Sequence, residues 1–250
     1  MITTEIRDSI AIARMEHGKV QAMDMELLTD LNRVLQEMET SPVKALMITG
    51  TGKVFSAGVD LFRLLKSGDD YVQSFIQLLC DVFEKAFFFP KPIIAAVNGH
   101  AIAGGCILTC ACDYKIGVNA ALTIGVTELL VGVPFPAIAL EIVRFSAAPK
   151  FLQQIVYSGK TYSAEEAVKV GLLDETVAND RLMNRAMEVA AQFAALPSEA
   201  FAITKRRLRE PVRARLAMLP QESAEILQAW RSPETHDRIR TYLHRTVGKR

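Results

Sequence analysis

The sequence predicts an α/β fold with a mainly parallel sheet, followed by a helical C-terminal module. Three observations carry this. Short apolar runs of strand length alternate with longer amphipathic stretches over the first part of the chain. Glycine-bearing turns follow those runs at Gly50, Gly52, Asn98-Gly99 and Gly104-Gly105. After Ser163 the pattern becomes helical, and Pro197 marks a boundary between a core of residues 1–196 and a module of residues 197–250.

Taken in order, Ile6, Ile10 and Ile12 alternate with polar or small residues as an opening strand, and Val20 follows a turn at Gly18. Met25 to Glu39 reads as a helix with Leu27, Leu28, Leu31, Val34, Leu35 and Met38 on one face. Ala45 to Thr49 is a buried strand. Tyr71 to Phe89 is a second helix, apolar through Phe75, Leu79, Val82, Phe83 and Ala86, and Pro90-Lys91-Pro92 stops it. Ile93 to Val97 is a strand, followed by a tight turn and a short helix over Cys106 to Ala111. Tyr114 to Val118 and Ala121 to Ile124 read as further strands. Helices follow at Ala164 to Val170, Asp180 to Ala195, Pro197 to Arg209 and near Gln221 to Trp230.

Composition narrows the partners. The chain has 250 residues, is 50% hydrophobic and can bury a large core. Lys plus Arg number 29 against 28 Asp plus Glu, so net charge calls for neither nucleic acid nor an anionic membrane. Glu5, Arg7 and Asp8 interrupt the apolar pattern at the N-terminus, which is unlike a signal peptide, and Gly248-Lys249-Arg250 is no peroxisomal address. Ile93 to Cys112 carries no Asp, Glu, Lys or Arg, but its glycines break it into strand, turn and helix rather than a membrane span. Cys80, Cys106, Cys110 and Cys112 read as buried, reduced thiols of a cytoplasmic protein. No metal site is expected, because the nearest histidine, His100, lies across the glycines.

Three segments carry chemistry. In Phe55-Ser56-Ala57-Gly58-Val59-Asp60-Leu61 a strand enters a turn where Gly58 lets backbone approach a ligand, leaving the Val59 amide free to donate. In Asn98-Gly99-His100-Ala101-Ile102-Ala103-Gly104-Gly105-Cys106 a strand enters a helix, and the Gly104 amide sits at the positive end of that helix. Close packing of helix on sheet also calls for such glycines. In Thr123-Ile124-Gly125-Val126-Thr127-Glu128, with Gly132 and Pro134 downstream, a lone carboxylate lies among apolar neighbours, where burial raises its pKa toward that of a proton carrier. A loop glutamate reaching solvent is the plainer alternative.

Together, in this order and with Cys112-Asp113-Tyr114 between the second and third, these segments resemble the crotonase superfamily of enoyl-CoA hydratases and isomerases over roughly residues 5 to 210. The resemblance implies a spiral of ββα units, assembly as a homotrimer or dimer of trimers, and an acyl-CoA substrate needing no separate cofactor. It implies that Val59 and Gly104 hold the thioester oxygen as an oxyanion hole and that Glu128 carries the proton. Ala57, Gly58, Asp60, Leu61, His100, Gly105, Ile107 and Pro134 are then substrate-binding positions, and the C-terminal helices complete the site of a neighbouring subunit.

Hydratases of the family place a second glutamate three residues after the oxyanion glycine, where this chain has Ile107. Hydration uses two carboxylates, whereas shifting a double bond from position 3 to position 2 needs one. The expected activity is therefore that of a single-glutamate Δ3,Δ2-enoyl-CoA isomerase, with hydration or a non-catalytic acyl-CoA binder as alternatives. A serine nucleophile at Ser56 paired with His100 is a further, hydrolytic alternative. The basic run Lys205, Arg206, Arg207 and Arg209 reads as a solvated helix face or a contact for the phosphates of CoA.

Overall fold

The computed structural model describes residues 1–219 and 222–246. The Gly248-Lys249-Arg250 triplet and Gln221 lie outside the described residues. The chain opens with β1 (Ile2–Arg7) and β2 (Ile10–Met15), an antiparallel hairpin where one strand was expected. Its two-residue turn, Asp8 and Ser9, has positive φ at both positions, the twist that tight hairpins require, without the glycine that usually advertises it.

Helix α1 (Met25–Thr40) starts where the Asp24 carboxylate accepts from the Leu27 N–H at 2.9 Å, and it buries the six apolar residues of its predicted face. There follow β3 (Ala45–Thr49), β4 (Val54–Ser56), the short helix α2 (Leu61–Lys66) and α3 (Asp69–Phe87). Next come β5 (Ile93–Val97), β6 (His100–Ile102) and α4 (Gly104–Ala111), then β7 (Tyr114–Val118), β8 (Thr123–Gly125) and α5 (Glu128–Val131).

Each of the pairs β3/β4, β5/β6 and β7/β8 gives its first strand to one sheet and its second to another, and helix follows. This is the spiral of ββα units. The larger sheet runs β1-β2-β3-β5-β7-β10 and is parallel beyond its first pair, with β10 (Glu175–Val177) at its edge. The smaller runs β4-β6-β8-β9, with β9 (Tyr162–Ser163) antiparallel to β8. Every residue of β3 and β5 is buried, as expected of parallel strands covered on both faces.

Asn98 ties two turns of the spiral together. Its side-chain oxygen accepts from the Gly50 N–H at 2.9 Å and its amide donates to the Gly52 carbonyl at 3.1 Å. A Cβ at the adjacent Gly99 would fall 1.9 Å from the Lys53 carbonyl oxygen, so no side chain fits where these turns meet.

The remaining helices are α6 (Ala137–Ser146), α7 (Leu152–Ser158), α8 (Ala164–Val170), α9 (Leu182–Ala194), α10 (Ser198–Ala217), α11 (Glu222–Arg231) and α12 (Pro233–Thr246). Helix α10 begins after Pro197 and continues through Pro211, well past the expected end at Arg209. Its anchors explain this. Lys205 donates to Asp113 at 2.6 Å and Arg209 to the other oxygen of the same carboxylate at 2.8 Å, while Val212 is buried beyond the proline. Lys205 and Arg209 are thus buried partners of Asp113, which corrects the expectation of a solvated face; Arg206 and Arg207 alone are exposed. Among the described residues no helix is long and apolar enough to cross a membrane.

Candidate active site

The first loop leaves β4 at Ser56, whose hydroxyl donates to the Gln21 carbonyl at 2.7 Å and accepts from the Gly58 N–H at 3.2 Å. Gly58 then turns with φ +78°. Met23 donates to the Gly58 carbonyl at 2.7 Å and accepts from the Asp60 N–H at 2.9 Å. Both backbone groups of Met23 are therefore used by the residues flanking Val59, so the N–H of Val59 itself points away from Met23. Asp60 caps α2 by accepting from the Arg63 N–H at 3.0 Å.

The second loop ends β6 and turns at Ala103, which holds φ 51° and ψ −121°, a conformation that favours glycine. Such a conformation costs about 1–3 kcal/mol and clusters at functional sites. It places Gly104 at the first position of α4. The Ala103 carbonyl accepts from Ile107 N–H at 3.0 Å, so the Gly104 amide lies ahead of the first helical bond, at the positive end of the helix. Ala103 N–H donates to the Gly125 carbonyl at 2.8 Å, fastening this loop to the third segment.

That third segment delivers Glu128 at the first position of α5, where a loop was expected. The helix is one turn long and closes on Gly132, at φ +88°. Glu128 is only 6% exposed, and its Oε2 has no hydrogen-bond partner among the described residues. Burial pushes its pKa up to about 8, opposed by backbone hydrogen bonds at Glu128 and Thr127. A buried carboxylate with an open oxygen is costly unless something uses it.

Glu128 lines a narrow apolar cavity of about 50 Å³ together with Val59, Gly104, Ile107, Ala57 and Leu61. No other Asp or Glu lines it among the described residues. A wider and more open pocket of about 430 Å³ adjoins it, sharing Ala57, Val59, Leu61, Ile102 and Tyr242 and adding Asp60 and His100. The arrangement is an open vestibule leading to an apolar inner chamber, with candidate oxyanion donors near the junction and one carboxylate inside.

The remaining sequence-predicted positions serve differently. Gly58 and Gly105 shape the walls from behind: a Cβ at Gly105 would lie 2.3 Å from the Ser56 carbonyl oxygen. Pro134 lines neither pocket; its carbonyl accepts from the Trp230 indole at 3.3 Å, and Pro136 is the proline in the chamber wall. Ser56 and His100 form no dyad. The Ser56 hydroxyl donates to a backbone carbonyl, while His100 Nδ1 accepts from the Thr123 N–H at 3.1 Å and meets the Thr123 hydroxyl at 2.8 Å.

Sequence reading missed Leu79, Phe83, Trp230 and Tyr242, all of which line the chamber. Leu79 and Phe83 belong to the apolar face of α3 and read as core. Trp230 and Tyr242 come from α11 and α12, so the C-terminal helices wall the site of their own chain. Among the described residues no group of His, Cys, Asp and Glu is arranged to hold a metal. Cys106, Cys110 and Cys112 are buried thiols, and Cys80 is half-buried.

Comparison with known proteins identifies the family. Mouse mitochondrial enoyl-CoA delta isomerase 1 is 25% identical over 252 residues, covering 100% of this chain and 86% of the relative. A short-chain-enoyl-CoA hydratase of Clostridium acetobutylicum is 27% identical over 210 residues, covering 83% of this chain and 80% of the relative. The crystal structure of human mitochondrial Δ3-Δ2-enoyl-CoA isomerase shares the fold, with a TM-score of 0.93 at 22% identity over 100% of this chain and 99% of that one. The model of the enoyl-CoA hydratase/isomerase family matches residues 5–247, and the chain belongs to that family, within the crotonase superfamily.

Proposed function

We propose that the protein is a Δ3,Δ2-enoyl-CoA isomerase in which Glu128 is the single proton carrier. The observation that carries this reading is the chamber itself: one buried carboxylate with an open oxygen, and Ile107 where a hydratase has its second glutamate. Glu128 removes a proton from C2 of a 3-enoyl thioester. The electrons released move onto the thioester oxygen, giving a conjugated enolate, and the same carboxyl returns the proton at C4 as the double bond settles between C2 and C3. No water enters the product, so no second carboxylate is needed to activate one.

The amides of Val59 and Gly104 are the donors to the developing oxyanion. Two backbone N–H groups held in place before the reaction stabilise charge without reorganising, and losing one such donor costs about 10²–10³ in rate. The raised pKa of Glu128 suits both halves of the reaction, because a base whose pKa lies near working pH can take a proton and give it back. The vestibule, with His100 and Asp60 at its wall, is the place for the pantetheine arm. Cytoplasmic location and assembly as trimers or pairs of trimers belong to the same proposal.

A product assay tests it. Supplied with matched 3-enoyl-CoA and 2-enoyl-CoA, the protein should convert the first to the second and form little 3-hydroxyacyl-CoA from either. Faster hydration of 2-enoyl-CoA than isomerisation of 3-enoyl-CoA would replace this reading with the hydratase one.

A further inference from the structure

The inner chamber is small, and part of its wall comes from the far end of the chain. At about 50 Å³ it is a fraction of the roughly 150 Å³ that takes up a benzene ring, so it admits only a few non-hydrogen atoms. With the thioester carbonyl at the Val59 and Gly104 amides, that leaves space for the reacting carbons and little else. Trp230 belongs to the inner part of the chamber, since it lines that space and not the vestibule.

Trp230 is held where it stands. Its indole N–H donates to the Pro134 carbonyl at 3.3 Å and the side chain is 1% exposed. The next residue, Arg231, donates to the Asp69 carbonyl at 2.8 Å and to Gln73 Oε1 at 2.9 Å, clamping the end of α11 to α3. On the α12 side Thr235 donates to the Gly132 carbonyl at 3.3 Å. A buried, hydrogen-bonded indole between two anchored helix ends cannot swing aside for a longer chain at small cost. Another face of α11, through Ile226 and Leu227, lines a separate groove of about 540 Å³ that shares Pro136 with the chamber. The packing around α11 is therefore a partition between a small chamber and a larger groove.

We propose that Trp230 is the chain-length stop of this enzyme and that its substrates are short-chain acyl-CoA thioesters of about four to six carbons. This rests on the acyl-CoA reading of the site above, and it adds the substrate class and the residue that sets it.

The test uses saturated butyryl-, hexanoyl-, octanoyl- and decanoyl-CoA, whose binding requires no reaction, titrated calorimetrically into the full chain. In the native protein affinity should rise about fourfold for each methylene that finds room, peak by six carbons, and fall at least about tenfold by decanoyl-CoA. Trp230→Ala should bind decanoyl-CoA at least about tenfold more tightly than the native protein does, with butyryl-CoA little changed. Trp230→Leu, which keeps an apolar side chain on α11, carries the same comparison if the alanine variant does not fold. Trp230 is the only tryptophan in the chain, so its emission should shift with hexanoyl-CoA and stay unmoved with CoA alone. Decanoyl-CoA binding to the native protein as tightly as hexanoyl-CoA would overturn the stop while leaving isomerisation untouched. An unchanged chain-length profile in both folded variants would overturn the role of Trp230. Absence of binding by every acyl-CoA would remove this inference and the acyl-CoA reading together.

Discussion

Gly58 and Gly104 are in direct backbone contact: a Cβ on Gly58 would lie 3.0 Å from the Gly104 amide nitrogen, and one on Gly104 would lie 3.7 Å from the Gly58 Cα. The two loops come from successive turns of the spiral, through the parallel pair β4 and β6. Their separation is thus set by the strand spacing of one sheet and the absence of two side chains. That is how a fold can fix the distance between two candidate oxyanion donors, Val59 and Gly104, without committing any side chain to the task.

Gly58→Ala should therefore damage activity more than its size implies. Gly58 sits at φ +78°, and the added Cβ would meet the Ile102 carbonyl oxygen at 2.7 Å, which is backbone and cannot turn away. We expect kcat/KM to fall by about 10²–10³, the cost of misplacing one donor, along with a lower Tm. Gly68→Ala, at a position with ordinary φ and open space around it, should leave both nearly unchanged. Equal effects from the two substitutions would show that the contact between the loops does not matter.

Much of this was legible in the sequence, and the failures have physical causes. The runs Ala45 to Thr49 and Ile93 to Val97 are too apolar and too short to be anything but buried strands, and these two and Tyr114 to Val118 are strands with the expected bounds. Glu128, Val59 and Gly104 stand out in local sequence and Ile107 through the family resemblance, and the four share one chamber. Helix α5 was invisible because four residues between Gly125 and Gly132 cannot display a period. Helix α12 went unread because its buried residues are few, with Ile239 nearly alone among charged neighbours. Trp230 and Tyr242 lie about a hundred residues from Glu128, and nothing local says that they return to it.

Asp113 supports a stability prediction. It is the common partner of the buried cations Lys205 and Arg209, and burial pushes the Lys205 pKa down to about 8 even beside that carboxylate. Asp113→Ala leaves two buried positive groups uncompensated, and breaking such a cluster costs about 3–5 kcal/mol. Glu165→Ala, which removes the exposed pair with Lys169, should leave stability nearly unchanged. Urea unfolding of the two variants measures the contrast, and similar midpoints would mean that α10 does not depend on Asp113.

The burial of Glu128 also makes stability depend on pH, with a definite sign. Its folded pKa, about 8, lies above the ordinary carboxylate value of 4.5, so the folded state holds a proton that the unfolded state has lost between those limits. Stability from this group is full below about pH 4.5 and declines as pH rises toward 8. Glu128→Gln has nothing to ionise. Its stability relative to the native protein should grow between pH 5 and pH 8 by on the order of a few kcal/mol, read as a widening gap in Tm. A constant gap would mean that Glu128 is ionised in the folded protein throughout.

The same variant decides the chemistry. If Glu128 must be ionised to take the C2 proton, kcat/KM of the native protein should rise about tenfold per pH unit below about 8 and level off above, following the free enzyme's carboxyl. Gln keeps the size and hydrogen bonding of Glu128 but cannot accept that proton, so turnover should fall by at least about 10²-fold. Affinity for a saturated acyl-CoA should change little, because the oxyanion donors are backbone groups. Ile107→Glu is the informative partner substitution. It places a carboxylate in the chamber where hydratases of the family carry one, and any gain of 3-hydroxyacyl-CoA from 2-enoyl-CoA would show that the chamber admits the water which hydration needs. Its cost is the desolvation of a second buried acid beside Glu128, whose mutual repulsion raises both pKa values further. Isomerisation should therefore weaken in Ile107→Glu even where hydration appears. Full activity in Glu128→Gln, on whichever double-bond isomer the native protein uses, would place the proton carrier elsewhere and end the single-glutamate assignment.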